Sequence, residues 1–166
     1  MKKYIFVIIF TLAVVLWVGF IFSNSAQTGE ESGATSSDVQ EAINGILHSL
    51  GIDLSLSEHF IRKAAHFTEY MILGFIVCFD VSAILKLFDA KKLKSRALAL
   101  SLAVPFSAAV ALIDEFVVQR ATEGRGPSFV DVRIDTCGAA LGVIIVLIAV
   151  FFSAYLKNVK INKGAE

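Results

Sequence analysis

The sequence has 166 residues, of which 56% are hydrophobic and 18% charged, with 15 basic and 15 acidic side chains in balance. That is too apolar for an ordinary soluble domain of this length, and it points to an all-α, polytopic membrane protein. Zero net charge offers no basic face that could displace counterions from phosphates, so no nucleic-acid partner is expected. Cys78 and Cys137 lie in apolar stretches with no CxxC and no Cys/His run at ligand spacing, and both read as small core hydrophobes.

Residues 4–22 form an apolar run behind Lys2 and Lys3, long enough to cross most of a ~30 Å hydrocarbon core. Its length exceeds most secretory h-regions and Ser23-Asn24-Ser25-Ala26 is a weak cleavage site, which favours an uncleaved anchor. Residues 23–59 form the one long loop. Its Gly/Ser-rich first part, to Ser37, is expected to be flexible or folded over the bundle mouth. Asp38-Val39-Gln40-Glu41 then fits a capping box, and Val39, Ile43, Ile46, Leu47 and Leu50 recur at helical spacing up to a Gly51 stop. This predicts a short amphipathic helix on the membrane surface or lidding the bundle. Ser55-Leu56-Ser57-Glu58 is a second capping box, leading into a span over 64–85.

The third span is expected over 97–118, with a tolerable kink at Pro105, and the fourth over 132–155. No internal repeat or soluble domain is evident, and residues 1–166 read as one membrane domain. Orientation follows the basic residues: Lys2, Lys3, Lys86, Lys91, Lys92, Lys94, Arg96, Lys157, Lys160 and Lys163 lie on one side, and Arg62, Lys63, Arg120, Arg125 and Arg133 on the other. Both termini are therefore expected to be cytoplasmic. All acidic residues but Asp80, Asp89 and Glu166 fall at the outer side, and Asp80 reads as an interfacial residue with only Lys86 near it.

Polar residues cluster at the outer ends of three spans. Arg62, His66, Glu69 and Tyr70 fall at i, i+4, i+7 and i+8, on one helical face. Glu115 and Gln119 share a face, with Asp114 about 100° away. Asp131, Asp135, Gly138 and Gly142 form one stripe, and the two glycines allow a neighbouring helix close. Ionisable groups at membrane depth are costly and should turn inward and pair, with Arg62 or Arg133 meeting Glu69, Asp114, Glu115, Asp131 or Asp135.

The alternatives are bland. Lys63, Arg120 and Glu123 read as flanking residues that snorkel to headgroups, and the inward stripe could be a structural ion-pair network. Otherwise His66, Glu69, Asp114 and Glu115 are candidate acid–base residues, and Arg62, Tyr70, Gln119, Arg125, Asp131, Arg133 and Asp135 candidate binding residues. Several carboxylates and one His suit a hard divalent cation, but the spacing matches no metal motif, so no cofactor is assigned.

Four ordered motifs carry a resemblance: residues 62–70 (RKAAHFTEY), 114–119 (DEFVVQ), Gly124-Arg125, and 131–138 (DVRIDTCG). Together with Phe22-Ser23-Asn24-Ser25, they resemble the VanZ-like family of bacterial membrane proteins over about residues 4–155. The chain departs from the family pattern at 120–125, where a Pro-Gly-Arg turn is common, and at Asp135, where Asn is common. The resemblance implies low-level resistance to teicoplanin-type glycopeptides, which act on cell-wall precursors outside the cytoplasmic membrane.

Three functions remain. A binding protein would engage a lipid-linked wall precursor, a membrane lipid or a glycopeptide's lipid tail, with Arg62, Arg125 and Arg133 holding phosphate. A membrane enzyme would act on an amphiphile through His66, Glu69, Asp114 or Glu115. A small transporter is disfavoured by spans that show no discontinuous helix, repeat or midplane charge.

Overall fold

The computed structural model describes the backbone of residues 2–88 and 93–163 and the side chains of 3–88 and 96–159. Asp89, Lys91, Lys92 and Glu166, and the side chains of Lys2, Lys94, Lys160 and Lys163, all used in the orientation argument, lie outside these described residues.

The described residues form helices and no strands: α1 (Lys2–Ser25), α2 (Gly29–Ser49), α3 (Glu58–Leu87), α4 (Leu93–Ser101), α5 (Ala103–Ile113), a π turn (Asp114–Val118), a 3-10 turn (Gln119–Ala121) and α6 (Phe129–Lys163). Four candidate membrane-spanning helices result: α1, α3, the composite 96–121 and α6. Each covers one of the four expected spans and extends past it.

α1 is hydrophobic all round. Tyr4, Phe6, Ile8, Leu12, Val15, Leu16 and Phe20 are exposed, and only Val14, Ile21 and Ser25 are buried. Such a helix is stable only where its outer face meets lipid. Its inner stripe packs on α3 through the stacked Phe10–Phe79 pair, ring centroids 5.7 Å apart, and a Thr11 hydroxyl donating to Asp80 at 2.9 Å. Asp80 thus has a partner on α1 rather than only Lys86 nearby.

α3 and α6 form the centre of the bundle, and glycines set their separation. A Cβ at Gly138 would collide with the Phe67 carbonyl oxygen, one at Gly142 with that of Met71, and one at Gly74 would lie 2.5 Å from that of Ala139. The backbones meet because none of the three has a side chain. Cys78 is buried as expected, but Cys137 is exposed. It lies 200° around α6 from Asp135, on the face turned away from α3.

The third span is one helix over 96–121 whose regular hydrogen bonding is interrupted at the expected Pro105 position and once more near its end. Pro105 has no N–H to offer Ser101, so the regular pattern breaks at Leu102. It breaks again in the π turn at the end that carries Asp114 and Glu115.

α2 starts well before Asp38. Thr28 is its N-cap in a capping box with Glu31, and Asp38 is interior. Both the Thr28 N–H and hydroxyl donate to the Glu31 carboxylate, holding its pKa below the ordinary value. The Gly/Ser-rich stretch is therefore largely helical. α2 ends as anticipated, with Gly51 at φ +73°.

Polar side chains of α2 make its contacts with the segment before α3. Gln40 and Asn44 donate to the Leu56 carbonyl, and Leu56 N–H donates back to Asn44. Ser36 is buried, while Val39, Ile46 and Leu50 are exposed. The cap before α3 is Ser57, bonded to Phe60 N–H, in place of the expected Ser55–Glu58 box.

Candidate functional site

The polar residues converge where α1 ends and α3 and α6 begin. On α6, Asp131 occupies the first turn, where the helix dipole favours an acid, and it forms an ion pair with Lys63 of α3. Lys63 is therefore a partner in the bundle and not a snorkelling residue. One turn deeper, Asp135 is fully buried and its Oδ1 lies 3.7 Å from His66 Nδ1. Gly138, a further turn on, allows that approach by bringing α6 against Phe67.

The π turn supplies the second pair of carboxylates. Its i→i+5 spacing brings Asp114 and Gln119 to one side, which an α-helix would not do. The Gln119 amide donates to Glu115 Oε1 at 2.5 Å and to Asp114 Oδ2 at 3.2 Å. Glu115 Oε2 also accepts from Ser128 N–H at 2.9 Å, tying the π turn to the start of α6. Asp114, Glu115 and Gln119 are all buried.

α1 contributes residues that sequence reasoning missed. Ser25 Oγ donates to Asp114 Oδ2 at 2.8 Å, and Asn24 Nδ2 to Glu69 Oε1 at 2.8 Å. Trp17 Nε1 donates to the Glu69 carbonyl at 2.9 Å. A polar Asn-Ser pair ending an apolar span is the available signal; in the sequence it stands as a weak cleavage site and as part of the family-like Phe22–Ser25 segment, without a role in the polar cluster.

Arg125 closes the mouth. Gly29 N–H donates to the Glu123 carbonyl at 2.9 Å, and Gly124, at φ +72°, packs directly on Gly29. This contact holds the 122–128 loop over the bundle, and Arg125 then donates to the Ser25 carbonyl at 3.1 Å. Burial is the main cause lowering the Arg125 pKa from its ordinary value, reinforced by Arg62 and opposed by Asp114, Glu115 and Asp131.

Two clefts open beside it. One, of about 310 Å³, is lined by Glu30, Arg62, Lys63, Gln119, Arg125 and Asp131, among others. The other, of about 150 Å³, is walled by Asn24, Ser36, Arg62, His66, Glu69 and Arg125, with further α2 residues. Arg62 and Arg125 border both. A larger groove of about 580 Å³, at the other end of α3 and α6, includes none of these residues.

The sequence candidates divide accordingly. His66, Glu69, Tyr70, Asp114, Glu115, Gln119, Asp131 and Asp135 come together, with Arg62 and Arg125 at the rim. Arg62 approaches Glu58 at 3.8 Å rather than any of its expected acidic partners. Arg133 is exposed on α6, two residues and so 200° from both Asp131 and Asp135, and lines neither cleft. Arg120 and Glu123 are also exposed.

The VanZ/LLP1 family model matches residues 10–151, a stretch that contains every residue of this cluster. The chain belongs to the VanZ/LLP1 family. No curated protein and no solved structure matches it. In this VanZ/LLP1 protein the matched region runs from within α1 to within α6, so the convergence of α1, α3, the π turn and α6 is built wholly inside the family region.

Proposed function

We propose that this VanZ-like membrane protein binds the anionic headgroup of an amphiphile, a lipid-linked wall precursor or other phosphate-bearing lipid, in the outer leaflet of the bacterial cytoplasmic membrane. Through that binding it confers low-level protection against teicoplanin-type glycopeptides. The observation that carries the reading is the shared rim: Arg62 and Arg125 border both clefts, with Lys63 in the larger one. Guanidinium forks match phosphate oxygens, and a half-buried Arg125 is relieved by an added anion. The excess of basic residues at the other end favours cytoplasmic termini and an outward-facing mouth.

The direct test titrates the detergent-solubilised protein with an isoprenyl diphosphate and with the matching isoprenol. The diphosphate should bind and the alcohol should not. Arg62→Ala and Arg125→Ala should each weaken binding about 10- to 100-fold, the size of one charge-assisted contact, while Arg120→Ala stays within a few-fold. Equal binding of alcohol and diphosphate would sink the reading.

A second reading, an enzyme acting on the same amphiphile, rests on His66 lining the smaller cleft with Asp135 behind it. It requires turnover that His66→Gln abolishes while leaving affinity within a few-fold.

A further inference from the structure

The hydrogen bonds at the mouth leave one group of atoms out. His66 Nδ1, Asp114 Oδ1 and both oxygens of Asp135 are buried and have no hydrogen-bond partner among the described residues. They come from three separate elements, α3, the π turn and α6. One donor atom from each residue lies within 4.8 Å of the other two. We infer that His66, Asp114 and Asp135 form a divalent transition-metal site, with zinc the best match, buried beside the headgroup clefts.

Among the described residues of the cluster, the Tyr70 hydroxyl is the one other buried side-chain atom without a partner, and the remaining carboxylates are held. Asp114 Oδ2 accepts from Ser25 and Gln119, so only its other oxygen is free. Glu115 is held by Gln119 and the Ser128 amide, and Glu69 by Asn24. Among the described residues the nearby cations have other nearest partners: Lys63 pairs with Asp131, Arg62 lies near Glu58, and Arg125 donates to the Ser25 carbonyl. Asp135 is thus a fully buried acid whose one ion-pair approach among the described residues is from His66, at 3.7 Å. A buried acid of this kind must either keep its proton or gain a counter-ion, and a divalent cation would serve Asp114 and Asp135 together.

Two carboxylates with a neutral imidazole balance a divalent cation, leaving no net charge at membrane depth. One nitrogen and two oxygen donors suit zinc, whose non-structural sites keep three protein ligands and one open position. Ligands about 2.1 Å from a tetrahedral metal lie about 3.4 Å apart, so the widest pair here must close by at most about 1.4 Å, within the reach of side-chain torsions. The bonds from Ser25 and Gln119 to Asp114 orient that ligand from behind, as outer partners do in metal sites. His66 also lines the smaller cleft, so the site borders the space where a headgroup would lie.

The test is metal content. The protein purified in detergent without chelator is analysed by elemental mass spectrometry, then stripped with chelator and titrated with Zn²⁺ by calorimetry. The expected result is close to one metal per chain, or one saturable Zn²⁺ site on the stripped protein, with thermal stability raised by added Zn²⁺. Asp135→Asn and His66→Gln should each lower Zn²⁺ affinity at least 100-fold, while Arg120→Gln binds like wild type. Should one of the two fail to elute as a folded species, the other gives the same reading. Two outcomes overturn the site: wild-type protein that neither carries metal nor binds it saturably, or variants that bind as tightly as wild type. Arg62→Ala should leave metal binding intact while weakening the diphosphate, so this inference and the headgroup reading fail separately.

Discussion

Replacing Gly74 by Ala tests how α3 and α6 position the site. The added Cβ would lie 2.5 Å from the Ala139 carbonyl oxygen, where ordinary contact begins at 3.4 Å. The helices must therefore part by about 0.9 Å. A rigid separation of that size carries His66 Nδ1 from 3.7 Å to about 4.6 Å from Asp135, outside ion-pair reach. Overpacking of this kind costs about 1–3 kcal/mol, offset by about 0.5–1 kcal/mol from the better helix propensity of Ala. Against control Gly→Ala changes that share the propensity gain without the clash, the full cost remains, a Tm lower by roughly 2–12 °C for a chain of this size. Thermal unfolding in detergent can be followed through Trp17, the single tryptophan, which bonds α3 through the Glu69 carbonyl. Gly19→Ala and Gly45→Ala are the controls, since an added Cβ at either meets nothing within 4 Å. A Gly74→Ala protein with a Tm at or above those of the controls would refute the close α3–α6 contact and the site geometry built on it.

Gln119→Leu should destabilise the protein by about 1–3 kcal/mol, because it strips one donor from two buried carboxylates; denaturation of the variant at neutral pH measures it. In intact membranes a lipid-soluble maleimide should label the exposed Cys137 and spare Cys78, which mass spectrometry of the peptides reads; the reverse would mean that α6 is rotated. The Glu31 carboxylate is held below its ordinary pKa by Thr28, so its support of the α2 cap is complete above the ordinary value and is lost as pH falls through the folded one. Protection from hydrogen exchange in the first turn of α2, taken relative to the intrinsic rate at each pH, should fall on that acid side, and Glu31→Gln should remove this dependence.

What the sequence made legible follows from periodicity. The four spans, the shared face of His66, Glu69 and Tyr70, and the Asp135–Gly138–Gly142 stripe all rest on helical spacing, and the helices keep it. Four features escaped because they depend on something other than regular spacing. The π turn changes the period at Asp114, so Gln119 reaches both carboxylates where regular geometry allowed one. α2 begins at Thr28 because a capping box there outweighs the helix-poor Gly33 and its serine neighbours. Asn24 and Ser25 gain their role from tertiary contact with Glu69 and Asp114, 45 and 89 residues away. The choice of partner for Lys63 and Arg62 likewise depended on which of several nearby acids the packing brought closest.

The rim of Arg62 and Arg125 is where we propose that this protein acts. The most direct measurement is teicoplanin susceptibility of bacterial cells expressing wild type, Arg62→Ala/Arg125→Ala or Arg120→Ala, with membrane levels matched by blotting. Wild type and Arg120→Ala should protect, and the double variant should not. Protection by the double variant equal to wild type, or no protection by wild type at matched expression, would contradict the proposal.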